Sequence, residues 1–597
     1  MKRSFIIISI LAILTCYFYS SCKQRKKLNE KLIAQTIIKQ IDSFATLNDS
    51  FLLALQNEAI AGKKIQQSFL ELRLAYKKIE WAIEYFTPAN SRMFNGPPIE
   101  EVEINGTVIE PAGLQVMEPM LFPAYDSSQK GNLVQQLRTL QIQCEKTKTF
   151  FSNIDLFDWQ IFDAAQLEVF RIESLGITGF DNPLTLMSMQ ESAAALQSMK
   201  KIISDYDAGA DDEQLSNKID VAIKYLQNNR DFDSFDRAAF ILHYANPITK
   251  GISQLQKRLK IQEIIYNRLV KQDAQTLFDT NAFNASAYTL NRPGINSSKQ
   301  IALGRILFAD PVLSGNGKRS CQSCHQPAKA FADGLIRNTA INSNKLLPRN
   351  TPTILNAALQ PALFYDLRTN TLEEQAADAM NGKDEMSCSV KSAAKKLLQN
   401  EKYKMLFAEA FRNQNRSTID SLEILSVLTS YVRSLVKLNS RFDEYMRGNK
   451  FAMKQSEING FNLFMGRAKC ATCHYMPLFN GTFPPRYLRT DPEVIGVPAS
   501  KDYKDLDSDK GRYNVIPVTS LLHAFKTPTL RNAALTAPYM HNGVFSTLEE
   551  VMDFYNNGGG AGFGLNVENQ TLPYHKLNMS IKEIGELIEF IKCLNSK

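Results

Sequence analysis

Histidine is scarce in this chain, with six in 597 residues. Only His243 falls in the first 270 residues, and no histidine lies between His325 and His474. With no cysteine pair there either, the front half offers no set of metal ligands, and His243 reads as a surface or satisfied core residue. The formal net charge of +8 is small for this length. It gives nucleic-acid binding no support, since a basic stripe would be expected there. Long apolar runs are also lacking. The one at the start, Phe5 to Leu14, is too short and too one-sided for a membrane-spanning helix. What remains is an ordinary globular composition, 44% apolar and 22% charged, enough for three or four domains with cores of their own.

Cysteine is sparse but patterned. Four of the nine cysteines form Cys321-Gln322-Ser323-Cys324-His325 and Cys470-Ala471-Thr472-Cys473-His474. Cys-x-x-Cys-His is the attachment pattern of c-type haem: each thiol bonds a vinyl group, and the adjacent imidazole reaches the iron. One copy alone could equally be a redox dithiol or half a zinc site. Zinc needs four ligands close together, yet residues 326 to 469 supply one cysteine, Cys388, and no histidine. Two complete copies in separate segments read as two covalent haems, with His325 and His474 as iron ligands. Cys144 continues the apolar series Leu133, Leu137, Leu140 and reads as core, while Cys593 belongs to the last helix.

Lys2-Arg3, the apolar run and Ser20-Ser21 before Cys22 form an export signal over residues 1–22. Ser-Ser-Cys resembles a bacterial lipoprotein processing site, which implies lipidation of Cys22 and a periplasmic, membrane-anchored protein; ordinary signal cleavage or a retained anchor is the alternative. Residues 23–270 are helical throughout. Ile65, Phe69, Leu72, Tyr76, Ile79, Ile83 and Phe86 recur at spacings of three and four, a bundle stripe that Pro88 ends. Within this half, Gly113-Leu114-Gln115-Val116-Met117-Glu118 resembles the Gly-x-His-x-x-Glu signature of imelysin-like helical domains. Gln115 stands in the histidine position, and an amide is a poor transition-metal ligand.

A helix over Ile301–Phe308 precedes the first attachment motif and stops at Asp310-Pro311. Leu303-Gly304-Arg305 through Cys324-His325, Pro348-Arg349-Asn350-Thr351-Pro352, Phe364-Tyr365-Asp366, and Phe525-Lys526-Thr527-Pro528 through His541-Asn542-Gly543 follow in order. On these stretches, residues 275–597 resemble the bacterial di-haem cytochrome c peroxidases and the related methylamine-utilisation di-haem oxidases. The resemblance implies a mainly α fold: a helical bundle followed by two cytochrome c-like domains, 275–445 with the peroxidatic haem and 446–597 with the electron-transfer haem. It also implies Glu385 as the acid/base that moves a proton between the two peroxide oxygens. Gln375 becomes the amide that orients the oxidant, and Tyr365 the aromatic between the haems, where the peroxidases carry tryptophan. Many of these peroxidases close the first iron with a distal histidine; here none is available, so a five-coordinate iron is expected.

The second segment opens with a helix bearing Ile458, Phe461 and Met465 and closes with one capped by Ser580 and Glu583. Spacing leaves Met476, His523, Met540, His541, Met552 and Tyr555 as sixth-ligand candidates for its iron. The resemblance selects Tyr555, fourteen residues past His541, as in the methylamine-utilisation branch; the peroxidases have methionine there. Asn350, with the carbonyls of Thr536 and Pro538, matches the family's calcium position, and oxygen donors suit that ion. The expected activity is reduction of hydrogen peroxide to water, with electrons from a small cytochrome c, a cupredoxin or a quinol-linked carrier passing from the second haem to the first. The alternatives are an oxidase acting on a protein or organic substrate, and a non-catalytic electron carrier or redox sensor. A homodimer is an admissible assembly.

Overall fold

The computed structural model describes residues 31–597 except 58–60, 104, 205, 207–211, 290–295 and 413–416. The export run and Cys22 lie outside the described residues. The fold is mainly α. The chain divides into two compact units. The first takes the described residues up to Glu101, with Glu110–Phe235 and Ala239–Ile264; the second takes Val102–Ile109, Asp236–Ala238 and Ile265–Lys597. Both attachment motifs lie in the second unit. Among the described residues no helix is long and apolar enough to cross a membrane.

In the first unit, helix Gly62–Phe86 buries the expected stripe from Ile65 to Ile83, with Phe86 half-buried at its end. The Thr87 amide closes the helix on the Ile83 carbonyl, and Pro88 starts the next one. Cys144 is buried in helix Lys130–Asn153, and His243 is exposed. The core also holds charge. Arg73 pairs with Glu191 (Nη2–Oε2 3.0 Å), Lys77 with Asp181 (2.6 Å), and Arg171 with both Asp181 oxygens (2.8 and 2.9 Å). All of these side chains are nearly inaccessible. Burying such ions is tolerated only when they are paired, and removing one partner strands the other. The signature-like residues have protein partners: Gln115 donates to the Asn95 carbonyl (2.9 Å), and Glu118 accepts from the Thr185 amide and hydroxyl.

In the second unit, helix Ser298–Ala309 starts at a capping box made by Ser297 and Gln300. It buries Leu303, Leu307 and Phe308 in a core shared with Ile424, Val427 and Leu428 of helix Ser421–Arg433. Gly304 is required at the crossing, since a Cβ there would lie 1.9 Å from the Val427 carbonyl oxygen. Helix Gln455–Met465 crosses helix Ile581–Cys593 in the same way, with Gly460 against the Glu586 carbonyl at 2.0 Å from a built Cβ. Phe442, Phe461, Phe464, Phe479 and Phe590 pack edge-on or tilted around that crossing. Strand is minor: Pro492–Glu493 pairs antiparallel with Phe525–Lys526.

Candidate functional site: two attachment segments and the seam between them

The first motif forms a single helical turn, Cys321–Cys324. His325 follows it, and its Nδ1 lies 3.1 Å from the Phe331 carbonyl oxygen. The second motif makes a tighter turn, Cys470–Thr472, and His474 Nδ1 lies 3.1 Å from the Pro528 oxygen and 3.3 Å from that of Phe479. A carbonyl facing Nδ1 fixes the tautomer and leaves Nε2 as the donor to a metal. Burial lowers the basicity of both imidazoles, His474 down to about 4, so they are in the neutral, ligating form near pH 7.

The thiols discriminate among the readings of the motif. Burial pushes Cys321 and Cys470 up to about 12 and Cys324 to about 11. Reactive dithiols and zinc sites need electropositive surroundings that favour thiolate, the opposite of what is found. All four cysteines are free, and among the described residues no histidine, cysteine or carboxylate cluster could hold a metal ion. Paired protonated thiols beside an imidazole with a fixed tautomer fit covalent haem at both segments.

Helix Leu372–Asn381, capped by Thr371, carries half-buried Gln375. The Glu385 amide closes the turn beyond it on the Gly382 carbonyl (3.1 Å). Burial raises Glu385 above the ordinary carboxylate range; Arg368 and Arg319 pull it down, while Asp378 and Asp384 push it up. Cys324 feels the Glu385 charge, so this carboxyl lies within electrostatic reach of the first attachment turn.

Tyr555 sits on helix Leu548–Asn556, where burial raises its phenol above the ordinary range. Cys473 and Cys470 act on it electrostatically, so Tyr555 lies near the second motif. The other candidate ligands are occupied or packed. His541 stacks on Phe525 (centroids 3.7 Å, 12°) and its Nε2 meets Asp507 at 3.1 Å. His523 Nδ1 lies 2.8 Å from the Asp509 carbonyl. Met540 packs on the Phe545–Phe554 cluster, and Met476 and Met552 are buried. Glu493, unremarked in the sequence, lies beside Cys473 and Thr571; burial pushes its carboxyl up to about 7.

Tyr365 lies where the two segments meet. Its carbonyl accepts the Lys526 amide (2.7 Å), and the next two carbonyls, of Asp366 and Leu367, accept from Arg512 Nη1. The Asp366 carboxylate takes Arg349 (2.6 Å) and Arg368 (3.1 Å), and Arg349 continues to Asp509 (2.6 Å). This ion-pair chain joins residues 17 and 160 positions apart, a distance no local sequence pattern reports. Asn350 is buried; its amide nitrogen donates to the Leu335 oxygen (2.8 Å), and its backbone N–H to the His541 carbonyl (2.7 Å). Thr536 and Pro538 lie half-buried in the loop leading to His541.

A family model described as di-haem cytochrome c peroxidase matches residues 298–451. The methylamine utilization protein MauG of Methylorubrum extorquens is 33% identical over 50% of this chain and 79% of its own length. Cytochrome-c peroxidase IdrP1 of Pseudomonas sp. (strain SCT) is 35% identical over 50% of this chain and 81% of its own. Cytochrome c551 peroxidase of Nitrosomonas europaea is 34% identical, with 49% and 78% covered. Carrying both attachment turns in a mainly α second unit, the chain belongs to the di-haem cytochrome c peroxidase family, whose members hold two c-type haems, and is an oxidoreductase of the peroxidase type.

Proposed function

We propose that the chain reduces hydrogen peroxide to water with electrons from an external donor, admitted at the His474 segment and delivered to the His325 segment. Each turnover consumes one peroxide, two electrons and two protons and releases two waters. Cys321, Cys324 and His325 would hold one haem, and Cys470, Cys473 and His474 the other, with Tyr555 as a further residue that would bind its iron. When bound, the haems supply the redox chemistry. The chain's own part is to place the oxidant and move its protons: Gln375 orients it, and Glu385 takes a proton from one oxygen and returns it to the other. Tyr365 is the aromatic between the two segments.

The observation that carries this reading is Glu385, a half-buried carboxyl within electrostatic reach of Cys324 and raised by burial. A carboxyl raised in this way holds a proton better than a free one, which suits taking a proton from one oxygen and returning it to the other. Glu385→Gln should lower peroxide turnover by about 100-fold or more while haem content and reduction by the donor stay unchanged. An unchanged turnover would remove Glu385 from the reaction, and absence of peroxide turnover in the wild type would make the chain an electron carrier or redox sensor instead.

Tyr555 beside Cys470 and Cys473 favours a second reading, an oxidase of the methylamine-utilisation kind acting on a protein or organic substrate. Phenolate is harder than thioether and lowers the potential of the iron it binds. Rapid peroxide consumption with reduced cytochrome c supports the first reading. A long-lived oxidised state in the absence of donor supports the second.

The proposal extends to the surroundings. The donor is a small cytochrome c or cupredoxin. The N-terminal run and the attachment chemistry support export to the periplasm, with Cys22 lipidated. Calcium would take oxygen from Asn350, Thr536 and Pro538, the assembly admits a homodimer, and the first unit is an imelysin-like helical domain.

A further inference from the structure

One ion pair at the first segment has no part in the proposed reaction. Arg368 is held on three sides. Its Nε donates to Asp378 Oδ2 at 2.8 Å, its Nη1 to both Asp366 oxygens at 3.1 Å, and its guanidinium carbon lies 3.4 Å from the centroid of the Phe364 ring. Asp366 is itself fixed: the side chain is 8% exposed and also receives Arg349, and the carbonyl receives Arg512 at 2.9 Å. A guanidinium seated this way has little freedom to turn away, even where part of it is open to solvent.

The pair lies against the proton-transfer group. Asp378 is on the last turn of helix Leu372–Asn381, at i+3 from Gln375, and its carbonyl accepts the Gly382 amide at 2.8 Å. Glu385 folds back over that turn: a Cβ built on Gly382 would meet Glu385 Cβ at 3.3 Å and the Asp378 oxygen at 3.4 Å. The charged groups facing Glu385 are Arg368, Asp378, Arg319 and Asp384. Arg319 lies along the backbone, with Nη1 at 3.4 and 3.3 Å from the carbonyl oxygens of Asp384 and Glu385. Arg368 and Asp378 therefore form a paired cation and anion at the turn over which Glu385 folds, both acting on that half-buried carboxyl.

We propose that Arg368 and Asp378 are an opposed pair of positioning residues for Glu385, Arg368 favouring its carboxylate and Asp378 its carboxylic acid. The inference rests on the role of Glu385 given above and adds how the fold adjusts that group. An opposite charge at close range favours the ionised form of a carboxyl and a like charge disfavours it. Removing Arg368 must therefore make Glu385 a poorer proton acceptor at mildly acidic pH. Removing Asp378 must make it a better one, because Arg368 keeps its seat on Asp366 and Phe364. A merely structural role would move both variants the same way.

The test uses the di-haem protein and cyanide as probe, since hydrogen cyanide must lose its proton to bind iron as the anion. The rate of cyanide binding to the oxidised first haem is followed by absorbance across the pH range below neutrality, after haem content and the oxidised spectrum of each variant are matched to wild type. Glu385→Gln should flatten the pH profile. On the acid side, Arg368→Gln should bind about three- to tenfold more slowly and Asp378→Asn about threefold faster. Arg368→Lys, which keeps the charge, should return to within about twofold of wild type. A flat Glu385→Gln profile, with the Arg368→Gln and Asp378→Asn rates shifted in one direction or unshifted, overturns the inference and leaves the Glu385 role standing. An unaltered profile in Glu385→Gln overturns both.

Discussion

The two attachment segments are built on one plan and placed in unlike surroundings. In each, a helix before the motif crosses the helix that closes the segment at a glycine, Gly304 or Gly460, where a side chain would strike a backbone carbonyl. In each, a cysteine pair occupies one turn and the histidine is fixed by a carbonyl five or six residues on. The first turn then faces charge: Glu385, with Arg368, Asp378, Arg319 and Asp384 around it. The second has Tyr555 and the half-buried acid Glu493 beside it. Duplicating a scaffold fixes where a cofactor is held. What it does there depends on the groups around it: on the function proposed above, the first set would trade protons and the second would store and pass charge.

That contrast can be broken at the second segment. The largest effect is expected from Tyr555→Met. Replacing a phenol by a thioether should raise the midpoint potential of the second haem and leave that of the first unchanged, as measured by spectroelectrochemical titration. Equal shifts at both, or none, would mean that Tyr555 only packs. A smaller effect is expected from Glu493→Gln. Burial lifts this carboxyl to about 7 in the folded chain, against an ordinary value of about 4.3 when unfolded. The folded state therefore binds the proton more tightly. Its contribution is fully present below the unfolded value and is lost as pH rises through about 7. The thermal midpoint of the glutamine variant relative to wild type should therefore climb between mildly acidic and neutral pH. A constant difference would place the carboxyl in ordinary solvent contact.

Much of the scaffold was legible from residue order alone. The Ile65–Ile83 stripe is buried as its period demands, and the Ser580–Glu583 capping box starts the last helix. The same helix shows where periodicity stops: Arg73 and Lys77 are charged residues that pattern reading assigns to solvent, yet they are buried against Glu191 and Asp181, 118 and 104 positions away. At the site, the motifs name the haem-holding residues outright. Glu385, Gln375 and Tyr555 came from resemblance, since a lone glutamate, glutamine or tyrosine carries no local signal. The Asp378–Arg368–Asp366–Arg349–Asp509 chain and the His541–Phe525 stack gave none at all. Long-range pairing is decided by tertiary packing, and nothing in the neighbouring sequence encodes it. Glu493 was missed for the same reason, because it meets Cys473 through a two-residue strand paired with Phe525–Lys526.

The central claim is that two haems occupy one chain with unequal coordination, the first open to oxidant and the second closed by a protein ligand. Haem quantification by pyridine haemochrome, with the electronic spectrum of the fully oxidised protein, addresses it directly. The account predicts two c-type haems per chain, one high-spin and one low-spin. A single haem, or two that are both low-spin, would contradict it.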